Sequence, residues 1–373
     1  MLVPGCPNSR YMKPTELSRN ETTSMSTRLP SLDGLRGVAI LLVVFTHITA
    51  VTHLGHIFAG MGLFGMGFRI FFVISGFLIT FILLKELNRS GQISLPAFYL
   101  RRAFRILPAF SLFLTAMGLA AHSGVIHLQP GDMLSAATFT MNYHHHRAAW
   151  LGHLWSLSVE EQFYLLWPAI LAFGGRRTAI ISASLMLTLA PLVRIFLLSQ
   201  SGFHEAAGEA FPAVADMLAA GCLLALLRDW LATSRFYLHL LESRAFVMIP
   251  LSAFVVNGYR DGRLHAGLLD TFIALALAVT VDRCVRFANN TTGRILNSQV
   301  LVQLGAFSYS IYLWQQPFLA GHTHVTTAAI VPGLIAVAVI AWVSNHYVER
   351  PFLEFRNHLE NEYRLHAGRS FGF

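Results

Sequence analysis

Charge is scarce in this chain. Asp, Glu, Lys and Arg together make up 12% of its 373 residues, against about 25% in an average soluble protein. So little charge cannot clothe a water-soluble globule of this length, and the soluble classes fall away. Acidic residues are the scarcer sign, 19 against 27 basic, which leaves a net charge of +8. Cysteine is almost missing: Cys6, Cys222 and Cys284 are scattered, two of them beside or inside apolar runs. That spacing supports neither a disulfide framework nor a zinc site. There is no Walker phosphate loop, no GxSxG elbow and no HExxH pair, so ATP-driven and hydrolytic readings lose their usual sequence support. No cleavable signal peptide is visible, because the first apolar run is long and no small-residue cleavage site follows it. Repeats of solenoid period and low-complexity tracts are absent as well.

What the chain does have is apolar length. Hydrophobic residues make up 54% of it and the mean hydropathy is +0.54. Many of its apolar runs approach or exceed what a hydrocarbon core of about 30 Å requires. The expected fold is therefore an all-α polytopic membrane protein, a bundle of about ten transmembrane helices with both termini cytoplasmic. The spans are expected near 36–52, 66–84, 105–122, 157–173, 178–199, 213–228, 245–258, 265–281, 301–319 and 327–347. The loops then sort by charge. One set carries Lys85, Arg89, Arg101, Arg102, Arg105, Arg176, Arg177, Arg228, Arg235, Arg244, Arg283, Arg286, Arg294, Arg350, Arg356 and Arg364. The opposite set has Arg69, Arg147, Arg260 and Arg263 as its main cations. By the positive-inside rule the first set is cytoplasmic, and this accounts for the basic balance better than nucleic-acid binding does. Residues 132–143 read as an interfacial or re-entrant segment, since an extra crossing there would invert the charge of every later loop. Residues 1–30 read as a disordered cytoplasmic tail, with Met25 an alternative start. Residues 31–352 form the membrane domain and 353–373 a cytoplasmic C-terminal tail.

Three constellations carry chemistry. The first is Arg36 to His47, a cation at the start of an apolar run and an imidazole inside it. Eleven helical steps place them roughly 16 Å apart along the axis and within about 20° of one face. An ionisable side chain inside a membrane helix is a functional candidate by default; an anchoring arginine and a histidine satisfied within the bundle is the competing reading. The second is Arg101, Arg102 and Arg105. The i, i+4 pair shares a helix face, and guanidinium groups bind phosphate bidentately, although plain topology and lipid contact also explain such a trio. The third is Glu160-Glu161 at the outer start of the fourth span, where a carboxylate could orient and stabilise His47 or bind a substrate hydroxyl. Capping and a structural ion pair, with Arg69 as partner, compete with that. Arg194, Asp216, Tyr309, Tyr312, Gln315 and Gln316 are polar residues at depth, weighted toward structural pairing. His144-His145-His146 cannot converge on one ion in a regular helix, so no metal is expected.

Taken together, six stretches in chain order resemble the acyltransferase-3 family of integral-membrane O-acyltransferases. They are Leu32-Asp-Gly-Leu-Arg36 leading to His47, Phe71-Phe-Val-Ile-Ser-Gly-Phe77, Arg101-Arg102-x-x-Arg105-Ile-x-Pro108, Leu154-Trp-Ser-Leu-Ser-Val-Glu-Glu-Gln-Phe-Tyr164, Phe307-Ser-Tyr-Ser-Ile-Tyr-Leu-Trp314 and Val348-Glu-Arg-Pro351. The resemblance implies transfer of an acyl group, usually acetyl, from cytoplasmic acyl-CoA to a sugar hydroxyl on the far side of a bacterial inner membrane. Arg36, Arg101, Arg102 and Arg105 would hold the nucleotide phosphates. His47 would be the general base, with Glu160 or Glu161 supporting its imidazolium. Trp155, Ser156, Tyr164 and Tyr309 would contact substrate. The expected acceptor is an O-antigen or exopolysaccharide sugar, with peptidoglycan or a small glycoside behind it, and the other expected partners are the bilayer, a second copy of the chain or glycan-assembly proteins. Two positions depart from the common family pattern: Arg69 stands where aspartate is usual and Gln315 where histidine is frequent, so no catalytic role is expected at either. The chain ends soon after the tenth span, so the extracytoplasmic hydrolase-like domain of some members is not expected. A transporter or flippase for a glycan precursor is the competing class, although paired halves with broken helices are not evident; a non-catalytic scaffold is a third.

Overall fold

The computed structural model describes residues 30–50, 62–63, 65–200, 204–259, 262–319 and 327–369, and among these there are helices and turns but no strand. The main helices are α1 (Pro30–Ala50), α2 (Met66–Ser90), α3 (Leu95–His122), α4 (Asp132–Ala137), α5 (Leu154–Ser199), α6 (Phe211–Leu231), α7 (Arg235–Glu242), α8 (Met248–Asn257), α9 (Asp270–Arg286), α10 (Gln299–Leu319), α11 (Thr327–Ser344) and α12 (Arg350–Arg369). An all-helical chain is what lipid demands, since helices satisfy their own backbone hydrogen bonds.

Six helical segments are long and apolar enough to cross a membrane, or seven if the bent α7–α8 pair counts as one span. The sequence leads to ten, and the difference has identifiable causes. α5 is one continuous element of 46 residues, broken in backbone only at Gly175 (φ 70°, ψ −175°). Its first part runs with α2, Glu160 facing Ser75 and Trp167 facing Thr80. α6 also runs with α2, Arg69 sharing a cavity with Val214 and Met217 while Arg228 lies over Phe77. The second part of α5 runs against α6, Arg176 donating to the Leu226 carbonyl and Arg194 to that of Ala213. The chain therefore reverses at Gly175, where only glycine takes a positive φ without strain. α9, at 17 residues, is short, and Gln299, Gln303, Gln315 and Gln316 dilute the apolarity of α10.

Small residues set the closest crossings. A Cβ on Gly305 of α10 would lie 1.8 Å from the Asp33 carbonyl oxygen, and one on Gly37 of α1 2.3 Å from that of Leu301. Backbones in contact gain packing that lipid cannot supply. Gly76 of α2 and Gly221 of α6 do the same for the main core, which also holds Phe72, Phe77, Phe163 and Trp167. Buried charges come in pairs. Arg194 donates to both Asp216 oxygens at 2.9 and 2.8 Å, and Asp282 holds Arg228 and Arg286.

Two terminal expectations need comment. The proposed N-terminal tail and Met25 lie outside the described residues, save Pro30 itself, which begins α1. Residues 353–369 of the expected C-terminal tail are helical, within α12, with Phe352 and Phe355 against Phe104 of α3. The 132–143 segment is a six-residue helix and a single 3-10 turn, about 9 Å of helix and too short to cross. Its buried Asp132 accepts from the backbone N–H groups of Gln129 and Ala148 and pairs with His144. Among the described residues no group of three or more His, Cys, Asp or Glu could hold a metal ion.

Candidate active site

The Gly37–Gly305 crossing fixes the geometry of the site. α1 and α10 run in the same direction, so ten residues beyond the glycines His47 meets Gln315. The ring Nδ1–H donates to Gln315 Oε1 at 2.7 Å, which leaves Nε2 with its lone pair exposed to an adjoining cavity. Gln315 is completely buried, so this partner is held in place by its surroundings. Trp155, Ser156, His153 and Tyr312 line the same cavity as His47. Tyr312 donates its hydroxyl to the His153 carbonyl, and Ser156 Oγ lies 2.6 Å from the Tyr312 oxygen. His153 Nε2–H donates to the Leu313 carbonyl. α5 and α10 are thus stitched together beside the imidazole.

At the other end of α1 the arginines gather. Arg36, Arg101, Arg102 and Arg105 line one cavity of about 220 Å³ together with Glu160, Tyr164, Tyr309 and Arg356. Several of these side chains are positioned by a neighbour. Arg101 pairs with Glu86 at 3.3 Å. Arg102 stacks over the Tyr164 ring at 3.6 Å and faces Glu161, also at 3.6 Å. Glu160 accepts from Ser75 Oγ at 2.7 Å, and the Tyr309 hydroxyl donates to the Ile106 carbonyl at 2.9 Å. Glu349, on the turn before α12, accepts from Ser310 and Asn345.

Successive cavities between the two ends share lining residues. The arginine cavity shares Arg36, Phe71, Glu160 and Tyr309 with a smaller one. That one shares Phe68, Ser156 and Tyr312 with the cavity at His47. The His47 cavity in turn shares His47, Phe68, His153 and Trp155 with a wide outer cavity of about 720 Å³. The outer one is walled by Arg147 paired with Glu209 and by Arg69 paired with Asp270. A file of cavities therefore runs the length of the bundle, with His47 where its inner and outer parts meet.

Several sequence expectations change at this point. The partner of His47 is Gln315, not Glu160 or Glu161; both glutamates face the arginines, one helical turn or more toward the other end. Gln315, expected to stand apart from the Arg36–His47 pair, touches the histidine directly. Arg69 pairs with Asp270 and not with the glutamates. Arg36 and His47 line successive cavities of one file instead of a single cavity. Of the substrate candidates, Trp155 and Ser156 stand beside His47, whereas Tyr164 and Tyr309 belong to the arginine cavity. Ser75, Glu349 and Arg356 were missed. Ser75 sits in the Phe-Phe-Val-Ile-Ser-Gly run, and a hydroxyl in so apolar a stretch was the available signal.

A family model described as an acyltransferase domain matches residues 29–344. Among curated proteins, the chain is 30% identical over 364 residues to "Putative peptidoglycan O-acetyltransferase YrhL" of Bacillus subtilis, covering 87% of this chain and 54% of that protein. It is 27% identical over 368 residues to "Peptidoglycan O-acetyltransferase OatA" of Listeria monocytogenes, covering 88% and 57%. The chain spans about half the length of these relatives. No solved structure matches.

Proposed function

The chain belongs to this acyltransferase family, and from that premise we propose that it is a membrane O-acetyltransferase. It carries an acetyl group from cytoplasmic acetyl-CoA to a hydroxyl of an envelope polysaccharide on the far face of the inner membrane. The observation that carries this reading is the file of cavities from the arginine mouth past His47 to the outer chamber. A donor rich in phosphate and an acceptor rich in hydroxyls can meet at one imidazole without either crossing the bilayer. The arginine-rich loops support a donor mouth and both termini on the cytoplasmic side, with the ten expected spans as crossings.

In this account Arg36, Arg102 and Arg105 hold the donor's diphosphate, charge against charge. Glu160, bonded to Ser75, and Glu161 keep the guanidiniums in place. The pantetheine arm runs inward past Phe71 and Phe68. His47 Nε2 takes the proton of the acceptor hydroxyl as its oxygen attacks the thioester carbon. The oxyanion that forms is met by a donor lining the cavity, the Trp155 indole N–H. Collapse breaks the C–S bond, and the imidazolium returns its proton to the leaving thiolate. Gln315 holds the ring by a neutral hydrogen bond throughout.

Purified protein given acetyl-CoA and a glycan acceptor should release free CoA in step with new O-acetyl ester. His47→Ala should lower that rate by about 10²–10⁴, the range for a general base, with unchanged protein level. A near wild-type rate in that variant refutes the mechanism, and glycan movement without CoA release would mark a transporter.

One observation favours a narrower acceptor. The two relatives named above carry peptidoglycan O-acetyltransferase in their names, which points to peptidoglycan ahead of O-antigen. An O-acetyl methyl NMR signal lost from peptidoglycan, and not from other surface polysaccharide, in cells deleted for the gene would decide it.

A further inference from the structure

One wall of the arginine cavity comes from outside the matched region. Arg356 lies on α12, beyond residue 344 where the family match ends, yet it lines the cavity with Arg36, Arg101, Arg102 and Arg105. α12 is held against α3 by Phe352 and Phe355 on Phe104, ring centroids 6.4 and 6.0 Å apart. The contacts of Arg356 itself are local. Its guanidinium donates to the side chain of the next residue, Asn357, and Glu360 stands one turn on at 4.0 Å. A half-buried i, i+4 pair at 4.0 Å is at the limit of ion-pair contact, so Arg356 can turn to a closer and stronger anion.

Depth separates the arginines. Glu349 is buried and bonded to Ser310 of α10, so the start of α12 is anchored inside the bundle. Arg356 follows seven residues later, about 10 Å farther toward the mouth. Arg101 likewise precedes Arg105 by one turn, about 6 Å, on the loop side. Arg36 also lines the next cavity inward. The cavity thus has an inner group, Arg36, Arg102 and Arg105, and an outer pair, Arg101 and Arg356. Five guanidiniums and one carboxylate, Glu160, line the cavity, while Glu86, Glu161 and Glu360 stand beside Arg101, Arg102 and Arg356.

We propose that Arg356, with Arg101, seats a terminal phosphomonoester of the donor, the 3′-phosphate of CoA. This rests on the acyl-CoA reading above. A donor that enters thioester first leads with its pantetheine arm, follows with its diphosphate and leaves its phosphomonoester last, at the mouth. The monoester carries about −1.5 to −2 charges at neutral pH and three strong acceptor oxygens, enough to engage both guanidiniums of the outer pair. A lipid phosphate would offer the same chemistry to Arg356 at a membrane surface.

Acetyl-CoA and acetyl-3′-dephospho-CoA should be compared as donors for the full chain, in nanodiscs of phosphatidylcholine with and without phosphatidylglycerol. The wild-type KM for acetyl-CoA should be lower by about tenfold, or about 1.4 kcal/mol. Arg356→Gln should raise it to the dephospho value and shift the dephospho KM less than about twofold, and Arg356→Lys, which keeps the charge, should recover part of the gap. Equal KM values for the two donors in the wild type, or an equal rise for both in Arg356→Gln, overturns the assignment. So does an effect that appears only with phosphatidylglycerol, which would give Arg356 to a lipid headgroup. A wild type that takes acetyl from neither donor refutes the acyl-CoA reading itself, an outcome distinct from the rest.

Discussion

His47 and Gln315 form the smallest unit of this protein with testable chemistry. The hydrogen bond between them selects which ring nitrogen is free, so its loss should act on the chemical step more than on binding. Gln315→Leu is expected to lower kcat by about 10- to 100-fold, or about 1.4–2.8 kcal/mol of barrier, while the KM for the donor stays within about twofold. Gln315→Glu keeps the acceptor oxygen and should retain most activity; steady-state kinetics on both variants check this. The histidine and the four arginines of the motifs were legible because their signal is local, an ionisable residue where lipid penalises one. Gln315 was not, because the bond spans 268 positions and no periodicity within one helix reveals what another helix brings beside it. The misplacement of Glu160 and Glu161 has the same origin. Their nearness to His47 in the topology was a matter of height along the bundle, whereas their contacts depend on which way α5 turns its faces.

Among the elements, the α1–α10 crossing matters most for function and the α5–α6 pair for stability. Gly305→Val would drive a side chain into the Asp33 carbonyl, 1.8 Å from the ideal Cβ position. The helices must then separate, which should cost about 1–3 kcal/mol and misalign His47 with Gln315. The expected outcome is a membrane-inserted protein with a lower melting temperature and little transferase activity. Asp216→Ala leaves Arg194 buried, with its closest carboxylate removed and Asp270 at 3.7 Å as the remaining one. Breaking a pair of this kind costs about 3–5 kcal/mol, and a thermal melt in detergent should show the loss. The spans of α1, α2, α3 and α6 were readable from apolar length alone. The reversal at Gly175 was readable from Arg176 and Arg177 interrupting the apolar run. α12 was not, since a polar amphipathic helix docked on α3 has no hydropathy peak.

Across the whole molecule, cavities from the two ends of the bundle adjoin at one residue, His47. Cations dominate the inner mouth, paired charges wall the outer chamber, and aromatic and small polar side chains line the passage between. Charge sorting in the loops assigns the arginine-rich end to the cytoplasmic face as an expectation. The continuity of the passage could not be foretold, because it depends on how α1, α2, α5 and α10 fit side by side. The central claim is that one chain passes acetyl from a donor on one side to an acceptor on the other. Proteoliposomes loaded with glycan acceptor and given radiolabelled acetyl-CoA only outside test it most directly. Labelled ester trapped in the lumen, absent with His47→Ala, is the predicted result; label that appears only when donor and acceptor share a compartment would contradict the account.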